Sequence, residues 1–133
     1  MALILSGCGI ENVFSPTVKT EIDEEFKPYV DEFYERHGSQ DYYLIVHFGE
    51  LDTGVASCDV YENGQLLITV KEELWITFCE AQKRALIFHE MGHCILDRDH
   101  VDYETLSYMV PSVMSCTYYT QNQEELDREL FSY

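Results

Sequence analysis

Ala85-Leu86-Ile87-Phe88-His89-Glu90-Met91-Gly92-His93-Cys94-Ile95-Leu96 is the stretch on which the fold turns. The chain from Phe78 to Leu96 lacks proline, and its latter half is apolar nearly all round, so the pattern predicts a helix over 78–96 buried in the middle of the domain. Thr77-Phe78-Cys79-Glu80 has the form of a capping box at its start, a hydroxyl followed three residues later by a carboxylate. Two histidines and a glutamate in such a helix need a reason. Burying them without partners costs roughly several kcal/mol, on the order of a whole domain's margin.

His89-Glu90-Met91-Gly92-His93 is the HExxH pattern. Residues four apart on a helix stand on one face, so His89 and His93 can both reach one zinc ion at about 2.0–2.1 Å. Zinc lowers the pKa of a coordinated water towards about 7, and Glu90 is placed to take its proton as general base during attack on a polarised peptide carbonyl. The alternative is a hydrogen-bonded pair of core histidines, with Glu90 paired to Arg98 or Lys83.

Outward from this helix, Ile22, Phe26, Tyr29, Val30, Phe33 and Tyr34 recur at helical spacing up to Gly38. They predict an N-terminal amphipathic helix, kinked at Pro28 or beginning near it. Segments 42–48, 55–61 and 65–70 read as strands, the last two joined by Asn63-Gly64, a two-residue hairpin signal. His47 reads as a packed strand residue. Residues 97–120 read as loop and 124–131 as a short C-terminal helix.

A chain of 133 residues suits one domain with a core of its own, and 46% hydrophobic content argues for folding despite a net charge of -17. Eight Lys+Arg against 25 Asp+Glu leave no basic patch to track a phosphate backbone, so no nucleic-acid partner is expected, nor a membrane surface bound by charge. No run approaches the roughly 18 apolar residues of a spanning helix. The opening residues end in Leu5-Ser6-Gly7-Cys8, which resembles a bacterial lipobox, whose cysteine is lipidated. The expected organisation is a truncated signal-like segment over 1–8, a tether over 9–17 and a single domain over 18–133. A short buried strand at 3–5 is the alternative reading of the first segment.

The residues after His93 carry a more specific resemblance. Metzincin peptidases have HExxHxxGxxH, in which a glycine turns the chain and a third histidine completes the metal site. Here Leu96 stands at the glycine position and Asp99 at the third-ligand position, followed by His100. Asp99 can ligate in register, as in snapalysin-like peptidases, or one extra residue in the turn can deliver His100. The run from His89 to His100 resembles HELGHCxLxRxH, found in small bacterial metallopeptidase-like proteins that are often lipoproteins, and this favours His100. Asp97 can supply the left-handed conformation that glycine otherwise provides. Pro111-Ser112-Val113-Met114-Ser115-Cys116 resembles the metzincin Met-turn, with Met114 beneath the metal, and Gly92 would let helix and loop approach closely. Tyr118 and Tyr119 follow and receive no role.

The resemblance implies an α+β, minimal metzincin-like (zincin) domain: a small, mostly antiparallel sheet packed on a central HExxH helix, with an N-terminal helix and a short C-terminal one. It implies a zinc metalloendopeptidase with one catalytic Zn2+ on His89, His93 and His100. A peptide or protein substrate would lie extended along a sheet edge. The alternative is a non-catalytic zinc-binding envelope lipoprotein. Either would sit in the bacterial cell envelope or be secreted, touching a membrane only through lipid on Cys8, and is taken as a monomer. Cys58, Cys79, Cys94 and Cys116 then suggest two disulfides, with three connectivities open. Cys94 with Cys116 and Cys58 with Cys79 is the favoured set, because Cys94 follows His93 and Cys116 lies in the loop assigned beneath the metal. Free buried thiols are the alternative. The acidic surface is expected to disfavour acidic substrates, so matched acidic and basic peptides should be cleaved unequally, the basic one faster; equal rates would remove the idea.

Overall fold

Alternating apolar residues in the second and fourth strands send Leu44, Val46, Leu66 and Ile68 to one buried face, and this shared face brings the two strands together. The computed structural model describes residues 17–132; Cys8, the segment at 3–5 and the tether apart from Thr17 lie outside the described residues. The strands are β1 (Glu21–Ile22), β2 (Tyr43–Phe48), β3 (Ala56–Val60) and β4 (Gln65–Val70), in the order β1-β2-β4-β3.

The sheet is mixed, which corrects the mostly antiparallel expectation. β1 and β2 pair in parallel, as do β2 and β4 from Tyr43↔Gln65 to Phe48↔Val70, and only β3 and β4 are antiparallel. Burial gives the reason. Ile68, Thr69 and Val70 are buried in succession, a pattern suited to a strand covered on both faces, so β4 takes a central place and β3 is left at the edge. The Asn63-Gly64 hairpin is present with a longer turn than two residues. The N–H of Tyr61 donates to the carbonyl of Gln65 and that of Gly64 to Tyr61, with Gly64 left-handed at φ 95°.

The first helix, α1 (Lys27–His37), follows a 3-10 turn over Glu24–Phe26 and ends at Gly38, whose φ of 91° and N–H to the Tyr34 carbonyl close it. Pro28 falls in its first turn, where a missing N–H costs nothing, so there is no kink. A single turn, α2 (Glu72–Trp75), leads into the central helix α3 (Glu80–Cys94). The capping box lies two residues beyond the expected one. Thr77 donates back to the Leu74 carbonyl, and the Gln82 side chain accepts from the N–H of Cys79 at 3.0 Å.

The last helix, α4 (Cys116–Leu130), is not short: it starts at Cys116, where the Ser115 hydroxyl caps it by accepting from Tyr118, and not at 124. Phe33, Ile68, Ile87, Phe88, Met91, Leu126 and Leu130 are fully buried in one core that joins α1, the sheet, α3 and α4. The domain is therefore α+β, as expected. Among the described residues no helix is long and apolar enough to cross a membrane.

Both disulfides form, with a connectivity that corrects the favoured one: Cys58–Cys94 and Cys79–Cys116. Helix geometry explains it. Cys79, the N-cap, and Cys94, the last residue, lie at opposite ends of a helix of 15 residues, about 22 Å long at 1.5 Å per residue. Cys116 begins α4 beside the start of α3, where Gln82 donates to the Met114 carbonyl, far from Cys94. Each end of the HExxH helix is thus fastened, one to α4 and the other to β3. Peptide mapping without reduction should recover these two pairs, and replacing either with alanines should cost about 2–4 kcal/mol in chemical denaturation; a Cys94–Cys116 peptide would contradict the arrangement.

Candidate metal centre

His89 and His93 stand one turn apart on α3 with their rings facing the same point, their Nε2 atoms 3.2 Å from each other. The chain leaves the helix through Asp97, the one non-glycine residue with positive φ (55°) among those described, and the N–H of Arg98 reaches back to the Gly92 carbonyl. This turn swings His100 over the other two rings, at centroid distances of 5.2 Å from His89 and 4.8 Å from His93. Ligand atoms of His89, His93 and His100 all lie within 4.8 Å of one another, so the three form a group that can hold a metal ion. Asp99 is not in it. His89 and His93 are half-buried and His100 is exposed, which leaves the group open towards solvent.

The chemistry of the donors supports a cation more strongly than the distances alone. The Nδ1 of His89 lies 2.6 Å from the Tyr108 carbonyl, and the Nδ1 of His93 lies 2.7 Å from the Arg98 carbonyl. A carbonyl oxygen only accepts, so both rings carry a proton on Nδ1. Each neutral ring then offers a lone pair at Nε2. Burial pushes the His89 pKa down to about 4 against the help of the Tyr108 carbonyl, with His93 and His100 adding to the fall; burial lowers that of His93 too. Two lone pairs facing at 3.2 Å repel unless a cation lies between them. Two nitrogens on one zinc at about 2.0–2.1 Å and near-tetrahedral angles sit about 3.3 Å apart. The site fits such an ion.

Glu90 is 5% exposed, and one carboxylate oxygen stands 4.0 Å from the His89 Nε2. The partners suggested as an alternative are engaged elsewhere. Arg98 grips the Glu129 carboxylate with both terminal nitrogens, at 3.1 and 2.8 Å, and Lys83 lies over the Trp75 ring. Burial raises the Glu90 pKa to about 8, with a smaller push from Asp59 on β3. A carboxyl so placed exchanges a proton near neutral pH.

The methionine that packs against Gly92 of the motif helix is Met109, where Met114 was expected to approach. A side-chain carbon added at Gly92 would lie 2.7 Å from the Met109 sulfur, so the missing side chain is what lets this fully buried methionine approach. Met114 is half-buried ahead of α4, its N–H donating to the Tyr119 hydroxyl. Tyr119 is buried and occupied by that bond, and Tyr118 packs edge-on against it. His47 sits in β2 against Thr69, apart from the histidine group. Sequence reasoning missed the two carbonyls that orient the rings, since any residue has a carbonyl and side-chain identity gives no signal for it. It also missed Asp59, whose place beside the motif depends on β3 taking the sheet edge.

No protein-family model, curated protein or solved structure matches the chain.

The Glu90 pKa has a testable consequence for the metal-free protein. Between the ordinary carboxylate range and about pH 8 the folded chain keeps a proton that the unfolded chain releases, so this group lowers stability progressively as pH rises across that window. The Glu90→Gln variant should therefore melt close to the parent near pH 4.5 and increasingly above it towards pH 8, in chelator-treated samples followed by calorimetry. A difference independent of pH would contradict the buried carboxyl.

Proposed function

We propose that the chain is a zinc-dependent peptidase, with His89, His93 and His100 holding one Zn2+ and Glu90 as the general base. The observation that carries this reading is the pair of inward-facing Nε2 atoms 3.2 Å apart with a buried carboxylate beside them. A zinc ion held there supplies Lewis acidity and an acidified water at neutral pH. Glu90 takes the proton of the attacking water and delivers it to the leaving amine. A bound cation nearby favours its ionised form, the one that accepts.

The substrate lies extended along β3, an edge strand whose Cys58 is bonded to the residue following His93. A polypeptide there adds a strand to the sheet beside the metal ligands. Closed structural zinc sites use four protein ligands, whereas the group among the described residues has three, which supports catalysis over zinc storage. Two disulfides suit an oxidising compartment, and a lipid on Cys8 would tether the domain to the cell envelope.

The parent and Glu90→Gln proteins should each bind about one zinc, and only the parent should cleave members of a quenched-peptide library; zinc binding without cleavage by either protein would favour the non-catalytic envelope lipoprotein. His100→Ala should weaken zinc binding by more than the roughly 10–100-fold that loss of a ligand-orienting residue costs, and Asp99→Asn by no more than that. The reverse order in a competition titration with a chromophoric chelator would make Asp99 the ligand.

A further inference from the structure

We propose that Asp127 and Glu129 of α4 are the positioning residues of this centre, each holding in place the backbone carbonyl that orients one motif histidine. The inference rests on the metal reading for its purpose, while its geometry stands by itself. The His89 ring is bonded to the Tyr108 carbonyl, and the Tyr108 side chain is fixed by its hydroxyl, which donates to Asp127 at 2.7 Å and accepts from Arg84 at 2.9 Å. Arg84 in turn donates to both Asp127 oxygens at 3.0 Å. Tyr108, Arg84 and Asp127 are all buried.

Glu129 serves the other ring. The His93 ring is bonded to the Arg98 carbonyl, and the Arg98 guanidinium lies across the two Glu129 oxygens. Glu129 also accepts from the Ser107 hydroxyl at 2.7 Å, and the Ser107 Oγ in turn accepts from the N–H of Met109 at 2.9 Å. Glu129 therefore grips both ends of the passage from Arg98 to Met109, the segment that carries His100.

Residues two apart on a helix point to nearly opposite sides, so Asp127 and Glu129 reach out on either flank of the buried Leu126 and Leu130. One helix thus addresses both rings through separate contacts. Each histidine can take either tautomer, and only the one with its proton on Nδ1 leaves Nε2 for a metal. A carbonyl held at hydrogen-bond distance selects that tautomer and fixes the ring plane. The C-terminal helix acquires a role here that its distance in sequence from the motif conceals.

Two mild variants separate the arms. Tyr108→Phe removes the hydroxyl link to Asp127 and keeps the Arg84–Asp127 ion pair, and Glu129→Gln keeps an acceptor for Arg98 and Ser107 without the charge. The exposed Glu125→Gln on the same helix is the control. The first readout needs no metal: nitrogen NMR of the chelator-treated protein reports the tautomer of each histidine. The parent and control should show the Nδ1–H form at both, Tyr108→Phe should mix tautomers at His89 alone, and Glu129→Gln at His93 alone. The second readout is zinc affinity, expected to fall about 10-fold or more in each variant and not in the control. Unchanged tautomers and affinities within about twofold of the parent would overturn the proposal. If the parent binds no zinc but the tautomers respond as stated, the metal reading fails and the positioning role stands; if the tautomers of both rings change together in each variant, general loosening of the fold is the cause and the proposal is wrong.

Discussion

Two imidazole nitrogens set 3.2 Å apart, each with its proton on the far side of its ring, bring two lone pairs against one another on a buried helix. A cation between them converts that repulsion into two bonds. The rings are held in this geometry by what surrounds them. Disulfides fasten both ends of the helix, Met109 fills the space opened by Gly92, and two backbone carbonyls hold the rings.

The sheet contributes through its edge. Because β4 is buried enough to occupy the centre, β3 falls at the margin, and Cys58 then meets Cys94 directly after His93. The same placement brings Asp59 close enough to act on Glu90. Strand order, disulfide connectivity and the electrostatics of the carboxyl are therefore one consequence of the apolar run in β4. Acidity elsewhere on the surface is a separate matter, although most ionic contacts that build the site use basic residues this chain has few of: Arg84 and Arg98 are two of only eight Lys+Arg.

Much of the centre was legible in the sequence because metal geometry leaves a local mark. The i, i+4 histidines, the buried helix that carries them and the left-handed Asp97 needed no tertiary information. His100 was favoured by resemblance, and the structure brings it rather than Asp99 to the other two rings. What failed depended on non-local packing. Parallel pairing of β2 with β4 leaves no local signature, and the cysteine pairing followed from helix length and direction rather than from closeness in sequence. The first turns of α4 looked like loop because Thr117, Thr120 and Asn122 are weak helix formers, yet Ser115 caps them and Tyr119 is buried against the core. Two methionines five residues apart competed for one position, and the sequence pattern pointed to Met114 when the space beside Gly92 is filled by Met109.

X-ray absorption at the zinc edge, on protein loaded with one equivalent of metal, tests the central claim most directly. Three nitrogen scatterers with imidazole ring signatures at about 2.0–2.1 Å and one further light atom are expected, for a site of three histidines with a position left for water. A shell with sulfur, or with fewer than three imidazoles, would contradict the three-histidine centre on which the proposed chemistry depends.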